Sequence, residues 1–143
     1  MISEYTFSTE KKKLDSKVIH DFLSNSYWSK NIPIEIVMRA IENSLCFGVY
    51  YQNKQVGFAR VITDYATFGY LADVFILEEH RGKGLSKKLM KNIMNHPQLK
   101  GLRGFCLRTR DAHKLYEQFG FSVIKNPERF MEIKRDTIYS ANN

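Results

Sequence analysis

Residues 73–90 read Asp73-Val-Phe-Ile-Leu-Glu-Glu-His-Arg-Gly-Lys-Gly-Leu-Ser-Lys-Lys-Leu-Met90. An apolar run of strand type meets Arg81-Gly82-Lys83-Gly84, and a helix starts near Gly84. Leu85, Leu89 and Ile93 form the inner face of that helix and Pro97 ends it. Two glycines let main chain approach a ligand without a Cβ in the way. The unpaired N–H groups of the new helix point at the same spot, and its dipole favours negative charge there. Arg81 adds a forked donor and the neighbouring lysines add point charges. The turn is built for phosphate oxygens.

The charge pattern widens this reading. The chain has 143 residues, 22 Lys plus Arg and 15 Asp plus Glu, a net +7. From His80 to Arg110 there are nine bases and no acid, so the rest of the chain, with 13 bases and 15 acids, is close to neutral. An excess confined to one segment suggests a local anionic ligand, where a uniformly basic chain would suggest nucleic acid. A solvated basic helix face is the plain alternative.

Length and composition bound the rest. The chain fits one domain over residues 1–143, with 43% apolar and 13% aromatic residues to pack a core. Leu45–Tyr51 and Ala72–Leu77 are far shorter than the ~20 apolar residues of a membrane span. No basic segment leads into an apolar one at the N-terminus, so no signal peptide is expected. Cys46 and Cys106 are too few for a disulfide framework and read as small apolar residues of a reducing compartment. A cytoplasmic location and no membrane association follow as expectations. No His/Cys/Asp cluster has metal spacing, so no metal is expected.

Elements follow from periodicity. Ile2–Ser8 reads as a strand; Leu14, Val18, Ile19, Phe22 and Leu23 mark an amphipathic helix. Pro33 opens a second helix with the stripe Ile34, Val37, Met38 and Ile41. Leu45–Gln52 and Gln55–Thr63 flank a hairpin turn at Asn53-Lys54, and Phe68–Leu77 follows as a third strand. Beyond the helix after Gly84 come a strand at Leu102–Leu107 and a helix at Asp111–Phe119 capped by Gly120. Phe121–Lys125 and Arg129–Lys134 are expected to close the sheet as two more strands. Strands interleaved with helices give an α/β or α+β chain, with a mixed sheet covered on both faces.

Three nucleotide motifs compete for the turn. A Walker loop needs Gly before Lys-Ser/Thr, and here Lys83 precedes Gly84. A dinucleotide fingerprint starting at Gly82 meets Lys87 where its third glycine belongs, in mid-chain. The pattern R/Q-x-x-G-x-G/A after a strand matches Arg81 to Leu85 and departs only at Ser86, itself a small residue. A second stretch, Thr109-Arg-Asp-Ala-His-Lys-Leu-Tyr-Glu-Gln-Phe-Gly-Phe121, carries Ala112, Leu115, Tyr116, Glu117, Gly120 and Phe121 at the positions of an N-x-x-A-x-x-L-Y-E-K-x-G-F segment. Together the two resemble the central and later motifs of the GNAT superfamily of acetyl-CoA-dependent N-acetyltransferases. Thr109 stands where many members have Asn.

The resemblance implies a mainly antiparallel central sheet over essentially the whole chain. It implies that Arg81, Gly82, Lys83, Gly84, Leu85 and Ser86 hold the coenzyme A pyrophosphate. Main-chain groups of Val74, Phe75 and Ile76 would meet the pantetheine arm as an added strand does. Thr109 would lie beside that arm, and Tyr116 near the thioester sulfur. The partner implied is a small-molecule or peptide amine, with the chain a monomer or homodimer and no nucleic acid involved.

Aminolysis of a thioester must take a proton from the amine and give one to the leaving thiolate. The Tyr116 phenol is the expected donor, against the alternative of a core aromatic with its OH tied to backbone. Asp73 is the best-placed carboxylate for the base. It stands beside the alternative of a satisfied structural carboxylate, with Asp64, Glu42 or ordered water then taking the proton. The resemblance places Tyr27, Trp28, Tyr65, Phe68 and Tyr70 around the acceptor mouth, an aromatic lip that attracts an amine by cation–π contact or simply finishes the core edge, with Asp73 a further candidate acceptor contact. A sensor that binds acyl-CoA without turnover and a basic nucleic-acid module are the competing functions. The latter lacks any zinc, RNA-recognition or helix-turn-helix pattern.

Overall fold

The structure is a computed structural model, and it describes residues 2–139. Nine main elements follow in order: β1 (Tyr5–Ser8), α1 (Ser16–Ser24), α2 (Ile34–Glu42), β2 (Leu45–Tyr51), β3 (Lys54–Thr63), β4 (Phe68–Ile76), α3 (Leu85–Met94), β5 (Gly104–Leu107) and α4 (His113–Glu117). The five strands form one sheet in the order β1-β2-β3-β4-β5. Every pairing is antiparallel except β4 with β5. This is the mixed, mainly antiparallel sheet that the sequence implies.

Each face of the sheet has its own core. Leu45, Phe47, Val49, Val61 and Leu71 pack with Leu85, Leu89, Met90 and Ile93 of α3. On the other face Cys46, Phe58 and Phe75 pack with Ile19 and Leu23 of α1 and Val37 and Ile41 of α2. Alternation along β2 sends Phe47 one way and Cys46 the other, as a strand buried on both faces requires. Leu89, Met90 and Ile93 are all at 0% exposure, each burial stabilising by about 1.5–3 kcal/mol as an upper estimate. Asp15 caps α1, its side chain accepting from the Lys17 and Val18 amides.

Several expectations shift. The β2–β3 turn is Gln52-Asn53, both left-handed at φ 50° and 65°, with Tyr51 paired to Lys54, one residue earlier than expected. Two consecutive positive φ values are what a tight two-residue hairpin demands. On α2 the inner side is Ile36, Val37 and Ile41, while Ile34 and Met38 are exposed. α4 is a single short turn, and Gly120 beyond it takes φ +96°, as a helix-ending glycine does.

The two closing strands do not form among the described residues. Phe121–Lys125 and Arg129–Lys134 run as irregular chain with a 3-10 turn at Pro127–Arg129. Phe121 is drawn back onto Tyr116 and Phe105 by ring contacts, and its amide bonds to the Tyr116 carbonyl. The chain beyond Phe121 lines a hollow together with Phe105, Cys106 and Leu107 of β5 without pairing with them, and Asn126 at φ 54° before Pro127 redirects it. Alternating apolar residues need a ladder partner to become a strand, and here Val123, Met131 and Ile133 stay exposed.

Candidate functional site

The site grows from one irregularity in β4. Phe75 pairs with Phe58 and Ala72 with Arg60, so Asp73 and Val74 together face the single residue Ala59. This bulge puts Asp73 at φ 56°, a left-handed conformation that Asp adopts more readily than most residues. The bulge aims the Asp73 side chain at the α1–α2 side of the sheet. There Oδ2 accepts from Arg60 Nε at 2.6 Å and Oδ1 from Trp28 Nε1 at 2.8 Å. Arg60 also donates to Ser44 Oγ at 3.0 Å. Both oxygens of Asp73 are therefore engaged, and its side chain is 8% exposed.

β5 creates the second feature. Its parallel pairing with β4 ends at Leu71 opposite Leu107, while β4 runs on to Ile76. Over residues 72–76 β4 pairs with β3 on one side only, so the strands part and leave an edge of main-chain groups. A cleft of about 990 Å3 opens here, lined by Ala72, Asp73 and Val74 on one wall and Leu107, Thr109 and Arg110 on the other. Trp28, Tyr27 and Tyr116 also line it. A second hollow of the same size, under residues 121–132, shares Tyr70, Leu107 and Tyr116 with it.

Tyr116 sits between the two. It is 8% exposed, its ring meets Phe121 edge-on, and its hydroxyl has no hydrogen-bond partner among the described residues. Burial raises the phenol above its ordinary value of 10.0, with the nearby Tyr27 phenol adding to the rise. It stays protonated at neutral pH. Burial likewise pushes the Cys46 thiol up to about 11, which removes it as a nucleophile.

The strand-to-helix junction lies past the end of β4. Gly82 and Gly84 take φ +76° and +81°, so both need glycine for their backbone alone. Gly84 is the N-cap of α3 and no side chain caps that helix. Arg81 to Gly84 are exposed, and a Cβ at Gly82 would meet nothing within 4 Å. Arg81 Nε donates to the Ile76 carbonyl at 2.8 Å, which ties the loop to the end of β4. Among the described residues Arg81, Lys83, Lys87 and Lys88 have no carboxylate partner. Uncapped amides, left-handed glycines and unneutralised cations fit a diphosphate, so the residues present suit coenzyme A.

The remaining candidates divide. Val74 lines the cleft, whereas Phe75 and Ile76 are buried in opposite cores and offer only main chain to it. Leu85 is buried and Ser86 half-buried, leaving their first-turn amides as the relevant groups. Thr109 Oγ1 accepts from the Ala112 amide at 2.9 Å and so holds the start of α4. Tyr27 and Trp28 stand at the cleft, but Tyr65 sits in the β3–β4 turn at the opposite end of β4 from the glycine loop and does not line it. Sequence reasoning missed Arg60, whose position inside a strand hides a charge turned inward. It also missed Arg110, whose guanidinium carbon lies 3.9 Å from the centre of the Tyr27 ring.

No group of three or more His, Cys, Asp or Glu residues fit to hold a metal occurs among the described residues, and no helix there is long and apolar enough to cross a membrane.

Comparison with known proteins agrees with this geometry. The acetyltransferase (GNAT) domain profile matches residues 42–123, which take in the bulge, the glycine loop and Tyr116. A crystal structure of a candidate GNAT-family acetyltransferase from Xanthomonas campestris pv. campestris superposes with a TM-score of 0.94 at 51% identity, covering 96% of this chain and 97% of that one. A candidate acetyltransferase of Gibberella zeae is 33% identical, over 79% of this chain and 76% of its own length. Glucosamine-6-phosphate N-acetyltransferase from Arabidopsis thaliana shares the fold at a TM-score of 0.62 and 16% identity, covering 92% of this chain and 97% of that one. With its profile match, its bulged fourth strand and its uncapped glycine loop, this chain belongs to the GNAT family of acetyltransferases.

Proposed function

We propose that the protein transfers an acetyl group from acetyl-CoA to a primary amine of a small molecule or peptide. The observation that carries this reading is the parting of β4 and β5 beyond Leu71 and Leu107, between the glycine loop and Tyr116. Bound acetyl-CoA supplies an acetyl group activated as a thioester, so the net transfer forms a C–N bond, breaks a C–S bond and moves one proton from nitrogen to sulfur.

The chain's own residues position and protonate. Amides at Gly82 to Ser86 with Arg81 grip the diphosphate, and the free edge of β4 from Ala72 to Ile76 aligns the pantetheine arm. Main-chain groups of Asp73 and Val74, displaced from the β3 ladder, are available to a carbonyl oxygen. Tyr116 Oη holds its proton and is the donor on the leaving side. With both oxygens engaged by Arg60 and Trp28, Asp73 acts as a positioning residue that fixes the bulge and the Trp28 indole. Deprotonation of the amine then falls to solvent in the cleft. No described residue is assigned that base.

The test is thiol release from acetyl-CoA with a panel of amines, alongside calorimetric binding of acetyl-CoA. Turnover with one class of amine supports the reading. Tight coenzyme binding without turnover on any amine makes the protein an acyl-CoA sensor. Arg81→Ala is expected to weaken coenzyme binding more than it slows turnover at saturation; equal affinity in the variant counts against the phosphate site.

A further inference from the structure

The cleft holds more positive charge than its carboxylates neutralise. Arg60 is paired with Asp73, Arg108 with Glu132 and Lys134 with Asp136. Lys30, Arg110 and Arg135 line the same cleft with no carboxylate partner among the described residues, against the single unpaired Asp111.

Arg110 is the one of these three that is held in place. Its guanidinium lies over the face of Tyr27, Cζ 3.9 Å from the ring centre. Tyr27 meets Trp28 edge-to-face at 5.1 Å and 79°, and the Trp28 indole is bonded to Asp73 on the bulge. The chain Arg110–Tyr27–Trp28–Asp73 therefore spans the cleft from the loop after β5 to β4. That contact occupies no N–H donor through a hydrogen bond, and among the described residues the donors of the Arg110 guanidinium have no protein partner. An oriented, unpaired fork beside a catalytic cleft matches a planar carboxylate or a phosphate. A cationic or neutral amine would make no ion pair with it.

We propose that the acceptor is an amine that also carries an anionic group, and that Arg110, held on Tyr27, recognises that group. This rests on the cleft being the acceptor site of an acetyl transfer, as argued above.

Matched amines test it. γ-Aminobutyrate against n-butylamine isolates a carboxylate, and O-phosphoethanolamine against ethanolamine isolates a phosphate; tyramine and spermidine serve as neutral-bodied and cationic probes. Each is assayed for thiol release, and for calorimetric binding to the protein saturated with coenzyme A. The anionic member of at least one pair is expected to win in kcat/KM or in affinity by about tenfold or more. Arg110→Ala removes that preference by raising KM or Kd for the anionic amine by about tenfold to a hundredfold, while KM for acetyl-CoA stays put. Arg110→Lys restores part of it, and Tyr27→Leu weakens it in the same direction. Preference for tyramine or spermidine, or an Arg110→Ala defect confined to acetyl-CoA, overturns the proposal and leaves acetyl transfer standing. Failure of the wild-type protein to bind acetyl-CoA at all sinks the transfer reading itself.

Discussion

Trp28 and Asp73, 45 residues apart, are joined by a hydrogen bond of 2.8 Å from the indole nitrogen to the carboxylate. The bond ties the loop between α1 and α2 to the bulge in β4. It fixes two walls of the cleft relative to each other, and it uses one of the oxygens a general base would need free.

Asp73→Asn therefore separates two roles. Asn keeps the left-handed backbone and an acceptor for Trp28 but leaves Arg60 without its anion. Denaturant melting is expected to show a loss of about 3 kcal/mol, the low end for breaking a buried pair, because Arg60 keeps 17% of its side-chain exposure. KM for the amine rises, and the acid limb of the kcat–pH profile keeps its position. A fall in kcat of ~10²–10⁴-fold with loss of that limb would make Asp73 the base.

Tyr116→Phe removes the proposed proton donor and little packing. The expected result is a kcat lower by ~10²–10⁴-fold with coenzyme affinity retained. The pH dependence follows from the raised phenol. With the protonated phenol as the proposed donor, activity assigned to Tyr116 is expected to be full below its ordinary value of 10.0 and to decline on the alkaline side of the raised value. Its stability contribution has the same sign, present below the unfolded value and lost on the alkaline side. An unchanged kcat in the variant would hand protonation to water.

Gly84→Ala tests the junction. Gly84 sits at φ +81° as the N-cap of α3, with only Ile2 Cδ1, at 3.9 Å, near the site of a Cβ. Space is available, so the cost is conformational, about 1–2 kcal/mol. A lower thermal midpoint together with weaker acetyl-CoA binding is expected; a variant as stable as the parent would mean the turn relaxes freely.

Asp64 makes an acid-stability prediction away from the site. Its carboxylate accepts from the amides of Ala66, Thr67 and Phe68 and from Thr67 Oγ1, which holds it well below the ordinary carboxylate range. A depressed folded value means the stabilisation is present above the unfolded value of roughly 3.9 and fades as pH falls below it. Asp64→Asn should flatten the acid limb of a stability–pH curve. An identical limb would show that other carboxylates set it.

What was legible in the sequence was local. The glycine loop, the helix that follows it and the Tyr116 segment are each specified by near neighbours in sequence. The loop and its helix stand where motif and periodicity put them, while the last helix is shorter than expected, His113–Glu117 within Asp111–Phe119. The pairings that shape the acceptor cleft join residues far apart in the chain, Trp28 to Asp73 and Tyr27 to Arg110, and no spacing rule encodes them. The inward charge of Arg60 was hidden for the same reason, because its partner lies on the next strand. The closing strands were misread because alternation in Phe121–Lys125 and Arg129–Lys134 says that a segment suits a strand, not that an edge is presented to it. Tyr65 was misplaced because aromatic character does not say which end of β4 a turn occupies.

In the proposed function, main-chain donors at the β4–α3 junction hold a diphosphate and set the thioester in the gap between β4 and β5. Diffraction from crystals grown with acetyl-CoA tests it most directly. Diphosphate density is expected against the amides of Gly82 to Ser86, with the pantetheine running along Ala72–Ile76 toward Tyr116. Coenzyme density bound elsewhere, with that turn free of ligand, would contradict it.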